Sequence, residues 1–174
     1  MTELQILVGI IMGSFSDRRL MYGAKAVLEK FLIPYDYHIC SAHRTPDDIP
    51  PIINEWKGRG CKVLIVGAGW AAHLAGAVAA QTILPVIGVP LSSSVLKGLD
   101  SLLATVQMPP GIPVATVAID CSENAAHLAI QMLAISNDKL AMELRAHRIA
   151  TMGEDVRDKD RKLRASGWPD ETKS

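Results

Sequence analysis

Val63-Leu64-Ile65-Val66-Gly67-Ala68-Gly69-Trp70-Ala71-Ala72-His73 decides the fold. Four apolar residues run without polar alternation, glycines break the run, and the Ala-rich stretch Ala71–Ala80 follows. A strand apolar at every position is covered on both faces, which is the habit of parallel sheets flanked by helices. Working outward, Val- and Ile-rich runs recur at Ile6–Met12, Tyr35–Cys40, Pro85–Val89 and Val114–Ile119. Helical spacing fills the gaps. Leu20, Met21, Ala24, Val27, Leu28 and Phe31 repeat at three- and four-residue steps behind Ser16, read as their N-cap. Ile49, Ile52, Ile53 and Trp56 do the same behind Thr45-Pro46, with Pro50-Pro51 pushing that helix toward a later start. Ala125–Ala134 completes the series. This alternation predicts an α/β three-layer sandwich, a five-stranded parallel sheet with helices on both faces.

Charge marks a boundary near the end of that sandwich. Of the 36 charged side chains, 17 fall in Asn137–Ser174, where Leu140, Leu144, Ile149 and Met152 make a thin apolar stripe. We therefore expect a catalytic domain over residues 1–136 and a helical tail over 137–174. A helix so thinly apolar does not hold itself together in water, so the tail is expected to dock, most naturally on a neighbouring subunit.

Composition narrows the function. Eighteen basic residues balance eighteen acidic ones, which argues against a nucleic-acid binder. Cys40, Cys61 and Cys121 are scattered and odd in number, as suits a reducing cytoplasm. The residues from Met1 to Gln5 lack the basic start and apolar run of a signal peptide. The longest apolar stretch, Leu74–Leu91, is broken by Gln81 and Pro85, so no membrane span is expected.

Open parallel sheets bind ligands at the carboxyl ends of their strands. Four loops there are rich in polar residues and glycine: Gly13-Ser14-Phe15-Ser16-Asp17, Ser41-Ala42-His43-Arg44-Thr45-Pro46, Gly67 to His73, and Pro90-Leu91-Ser92-Ser93-Ser94. The first offers hydroxyls and backbone N–H groups to an anion, and a carboxylate suited to ribose hydroxyls. Taken alone, Ser16 and Asp17 fit a helix start equally well. His43 beside Arg44 offers a proton shuttle next to a fixed cation, or simply a loop histidine beside a surface arginine. His73 is either a ligand contact or a helix N-terminal residue. His38, His127 and His147 read as structural. Gly67-x-Gly69-x-x-Ala72 fits the relaxed dinucleotide pattern but follows the third strand, with no acid about 20 residues on. No Walker loop, H-E-x-x-H, G-x-S-x-G or Cys/His cluster occurs, so the expectation is chemistry with few side chains, no cofactor and no metal.

Those loops, with Leu84 to Pro90, Gly98 to Leu103 and Val106 to Ile119, together resemble one family: the catalytic subunit of phosphoribosylaminoimidazole carboxylase, in its bacterial mutase class. The resemblance runs in order from Val8 to Leu133. It implies a flavodoxin-like fold and a cofactor-free isomerisation of a carboxylated aminoimidazole ribonucleotide in purine biosynthesis. It also implies a homo-oligomer, by family habit an octamer, with a small-molecule ribonucleotide as its ligand. His43 matches the family's general acid/base. Ser14, Asp17 and Arg44 match its nucleotide-binding positions, and Ser16, Ser41, Gly69, His73 and Leu74 complete the implied substrate site. Arg44 and Ala71-Ala72-His73 separate the chain from the animal-type carboxylases. A carboxylase of another aromatic nucleotide and a non-catalytic homologue are the rival readings. Trp70 stands where the family has glycine, and Ala75 where it has proline. The indole is expected to pack beneath its loop or at a subunit contact.

Overall fold

The computed structural model describes residues 4–167 and, for residues 152–155, the backbone alone. Met1 to Glu3, the Met152 side chain and residues 168–174, on which parts of the readings above fall, lie outside that description. The chain divides into two compact units, residues 1–133 and 134–174.

In the first unit five strands, β1 (Val8–Met12), β2 (Tyr35–Ile39), β3 (Val63–Gly69), β4 (Val86–Leu91) and β5 (Ala115–Thr116), form one sheet. Every pairing is parallel and the order is β2-β1-β3-β4-β5. Between them lie α1 (Arg18–Lys30), α2 (Ile49–Gly58), α3 (Leu74–Ala79) and α4 (Leu99–Val106), and α5 (Ser122–Ala134) follows β5. This is the expected flavodoxin-like three-layer sandwich. β1 and β4 are buried at every position, whereas β2, the edge strand Tyr-Asp-Tyr-His-Ile, is half exposed.

One face of the sheet packs on α2 and α3, where Ile11, Leu64 and Val66 meet Ile53, Trp56, Leu74 and Val78. A side chain on Gly9 would strike the Trp56 ring, so glycine is what lets α2 lie this close to β1. The Trp56 indole N–H donates to Asp36 on β2 at 3.2 Å, which ties α2 to the sheet edge. On the opposite face, Ser122 of α5 accepts from the Ala24 N–H of α1 at 3.2 Å and donates to the Leu20 carbonyl at 2.6 Å.

Local corrections have plain causes. α1 begins at Arg18 behind Asp17, which makes no side-chain cap bond, and Ser14 caps the short 3-10 turn before it, Phe15–Asp17, its Oγ accepting from the Ser16 N–H. Ser16 therefore does not cap. Thr45 makes no side-chain cap either, because its hydroxyl accepts from the Ser41 N–H at 3.1 Å. A 3-10 turn over Pro46–Asp48 precedes α2, whose two prolines sit in the first turn, where an N–H has no intrahelical partner. β3 runs on to Gly69 and β5 shrinks to two residues. The second unit holds α6 (Asp138–Arg148), a π turn (Ile149–Gly153) and α7 (Glu154–Ser166). Met142, Ile149 and Val156 are each more than 60% exposed.

Candidate active site

Because β1 and β3 are neighbours, and β2 and β4 flank them, the loops that follow these four strands emerge side by side. They enclose a cleft of about 460 Å³ lined by Gly13, Ser14, Ser16 and Asp17, by Ser41 to Arg44, by Ala68 to Leu74, and by Ser93. All nine residues proposed from the sequence line it. A cleft of that volume is in the range that holds a small ligand.

The loop after β2 is closed upon itself. Cys40 N–H donates to the Met12 carbonyl at 2.9 Å, Thr45 N–H to the Ser41 carbonyl at 2.9 Å, and Arg44 N–H to Ser41 Oγ at 3.2 Å. This turn lifts His43 and Arg44, both exposed, into the cleft from buried Cys40, just past the end of β2. Arg44 Nε also reaches Ser41 Oγ, at 3.5 Å, so Ser41 braces the arginine.

His43 meets His73 from the loop after β3. Its Nε2 lies 2.6 Å from His73 Nδ1, with the rings edge to face. At that distance one nitrogen donates and the other accepts, so the tautomer of one imidazole sets that of the other. His73 occupies the position before α3 without capping it through its side chain, and the imidazole is free to make this contact.

Asp17 is 4% exposed yet faces the cleft. Burial pushes its carboxyl above the ordinary value, opposed by hydrogen bonds from the Ser14 backbone and the Ser16 side chain. A buried carboxylate in an otherwise cationic and neutral cleft is poised for donors such as sugar hydroxyls. Leu74 lines the cleft at the start of α3, but its side chain is 2% exposed and belongs to the core. Only its backbone is available to a ligand.

Gly69 serves by close approach. A side chain there would collide with Ser93, which brings the loop after β4 against the end of β3. That loop is held by Asp120, whose carboxylate accepts from the Ser92 N–H at 2.8 Å and from the Ser92 hydroxyl at 2.5 Å. Asp120 itself takes a positive φ of 58°. Ser93 and Asp120 were absent from the sequence-based set. The signal for Asp120 was its place as the first polar residue after the fifth strand.

Trp70 is 63% exposed and lines the cleft, with a positive φ of 55°, so the indole does not pack beneath the loop, while its exposure is compatible with the subunit contact that was the other expectation. A positive φ is the conformation that glycine adopts without cost, which explains why glycine suits this position. Ala75, by contrast, is simply buried in the core. His38 lies tilted against Trp56 at 5.4 Å and His127 meets Phe31 edge to face at 5.9 Å, both away from the cleft.

Among the described residues, no group of three His, Cys, Asp or Glu side chains is placed to hold a metal ion, and no helix is long and apolar enough to cross a membrane.

The family model described as AIR carboxylase matches residues 7–153. The chain is 51% identical over 162 residues to an N5-carboxyaminoimidazole ribonucleotide mutase of Pyrococcus horikoshii, covering 93% of this chain and 91% of that one. It is 48% identical to the mutase of the same name from Thermotoga maritima, covering 92% and 94%. Among solved structures it is similar to PurE of Treponema denticola, with a TM-score of 0.81 at 27% identity, covering 90% of this chain and 98% of that one.

Proposed function

We propose, for a chain that belongs to the AIR carboxylase family, that it is an isomerase of purine biosynthesis. It converts N5-carboxyaminoimidazole ribonucleotide to 4-carboxy-5-aminoimidazole ribonucleotide. One observation carries the reading: an exposed histidine, hydrogen-bonded to a second one, shares a cleft with Arg44 and a buried carboxylate. The rival in which Trp70 fills the pocket is at odds with the 460 Å³ that stays open beside it.

The roles follow from the groups. Arg44, fixed by Ser41, and the N–H groups of the Ser14–Asp17 turn suit the phosphate. Asp17 suits the ribose hydroxyls. The substrate's N–carboxylate bond then breaks, its electron pair returns to nitrogen, and His43 delivers a proton there as carbon dioxide leaves. The ring carbon C4 attacks that same carbon dioxide, and His43 removes the C4 proton, regaining the one it gave. The step is balanced and needs neither oxidant nor external acid. Holding the carbon dioxide in the cleft makes the second half effectively intramolecular, which is worth far more than capture from solution. His73, through the shared hydrogen bond, fixes which nitrogen of His43 carries the proton between the halves.

Conversion of the N5-carboxylated nucleotide by the purified protein, without added bicarbonate, tests the reading. A chain that acts only on the uncarboxylated nucleotide with carbon dioxide is a carboxylase instead. Turnover should also survive prolonged treatment with a chelator, as suits a reaction that uses only protein groups.

The protein is further proposed to work in the cytoplasm as a homo-oligomer, by family likeness an octamer, with residues 137–174 as the inter-subunit clamp beyond the catalytic domain of residues 1–136. The apolar side chains that the second unit leaves exposed support this. Removing everything after Ala134 should lower the assembly mass in light scattering, and an unchanged mass contradicts the clamp.

A further inference from the structure

Trp70 combines three properties that rarely meet in one residue. It carries the largest side chain type, it is 63% exposed, and its backbone holds a positive φ of 55°. A non-glycine residue in the left-handed region is strained and persists where its surroundings over-determine it, most often at functional sites. Its surroundings do so here. Ala72 N–H donates to the Gly69 carbonyl at 3.0 Å, closing a tight turn with Trp70 inside it, and Ala72 itself has a positive φ of 37°. The turn follows directly from Gly69, pinned against Ser93, and leads into His73, held by His43. Trp70 thus projects from a loop anchored at both ends by residues of the cleft.

The ring has little to do for the fold, since it is largely in solvent. Nor does it plug the site, because the cleft keeps about 460 Å³ with Trp70 in its wall. The other lining groups are small or polar: serines, alanines, Asp17, Arg44 and the two histidines. They supply hydrogen bonds and charge, and among the lining side chains the indole offers the broadest apolar face.

We infer that Trp70 is a substrate-binding residue, the indole forming the aromatic wall against which the aminoimidazole ring of the nucleotide stacks. The inference rests on the nucleotide reading above and adds a contact that determines affinity for the base. A broad indole face gives a planar ring an offset contact that removes apolar area of both from water.

Tryptophan fluorescence reads the contact directly. The chain has three tryptophans, Trp56, Trp70 and Trp168; Trp56 is fully buried in the core, and substitution of Trp70 alone assigns its share of any signal change. Titration of the wild-type protein with 4-carboxy-5-aminoimidazole ribonucleotide should quench emission, and Trp70→Phe should lose most of that quench. Trp70→Ala should raise KM about two- to tenfold, the range of an aromatic pair, with kcat falling by less, while Trp70→Phe recovers part of the lost affinity. Absence of quenching in a wild-type protein that turns over overturns the inference, as does an unchanged KM in Trp70→Ala. A wild-type protein that shows the Trp70 quench but no isomerisation upholds the contact and overturns only the reaction proposed above.

Discussion

The two ends of one sheet carry two very different hollows. At the carboxyl ends of the strands lies the cleft of about 460 Å³ with its serines, Asp17, His43, Arg44 and His73. At the amino ends lies a hollow twice as large, about 920 Å³, lined by Lys57, residues 79–86, Gly111 to Pro113, Ala115 and Met132. The larger one is mostly apolar, with Lys57, Gln81 and Thr82 as its polar side chains, and Ile83 at its margin is 98% exposed. Size does not make the site. Strand polarity does: at the carboxyl ends each strand leads into a loop and then a helix start, where N–H groups face outward, whereas the amino ends receive helix carboxyl termini. Of these two pockets, the histidines and the carboxylate lie at the first alone, with Lys57 the single ionisable side chain at the other.

Substitutions test that asymmetry, and the largest effect belongs to His43. Asparagine keeps its size and a donor but cycles no proton, so kcat in His43→Asn should fall about 10²–10⁴-fold. Turnover within a few-fold of wild type would remove the histidine from the chemistry and with it the main distinction between the ends. Next comes Gly69→Ala. The added methyl meets Ser93 and sits 3.2 Å from the Leu91 carbonyl, so the fourth loop must move. Displacements of that kind cost about 10²-fold in kcat/KM when they disturb a reacting geometry. Assay of Gly69→Ala beside its thermal melt separates a moved loop from an unfolded protein.

Asp17→Asn should show opposite signs in two measurements. Nucleotide affinity should drop on the order of tenfold, as for the loss of one hydrogen bond to a charged group. Stability should rise at neutral pH. The folded-state carboxyl sits above its ordinary 3.8, so the folded protein holds the proton more tightly than the unfolded chain. That preference stabilises the fold fully below 3.8 and is lost as pH rises through the raised value, leaving a buried carboxylate that opposes folding near pH 7. The melting temperature of Asp17→Asn should therefore exceed wild type at pH 7 and converge with it in acid. A mutant less stable at pH 7 contradicts the assignment. The smallest effect is expected at the other end: Lys57→Ala should leave kcat/KM within about twofold, as for an exposed surface change. A tenfold loss there would break the comparison outright.

Much of this was legible in the residues. Strand-type runs without alternation predict a parallel sheet because burial on both faces leaves no polar side. The four polar loops follow from the same pattern. What escaped has physical causes. α4 lies in a segment whose outer face is Leu99, Leu103 and Val106, all exposed in this structure, so it lacks the polar face that marks a surface helix. The cap at Ser14 rather than Ser16 depends on a 3-10 turn that no periodicity announces. Leu74 matches a binding motif, yet its side chain packs inward, since a motif records positions and not directions. Asp120 stands at a strand end where a polar residue is expected, but its partner Ser92 lies 28 residues away, and that pairing has no local signature. The strained backbone at Trp70 was likewise invisible, being set by the turn that Gly69 and Ala72 close.

The order of the sheet has a consequence for how the protein comes into being on the ribosome. Every residue that lines the cleft lies between Gly13 and Ser93, so the growing chain has delivered all of them before β5 or α5 exists. Chains fold from the amino terminus as they emerge, and β1, β2, β3 and β4 can pair in turn. Two fastenings arrive late: Asp120, which clamps the Ser92 loop, and Ser122, which locks α1. A nascent chain halted between Ser93 and Asp120 would thus own a complete set of catalytic groups on an unlatched frame, and translation of roughly the next thirty residues closes it.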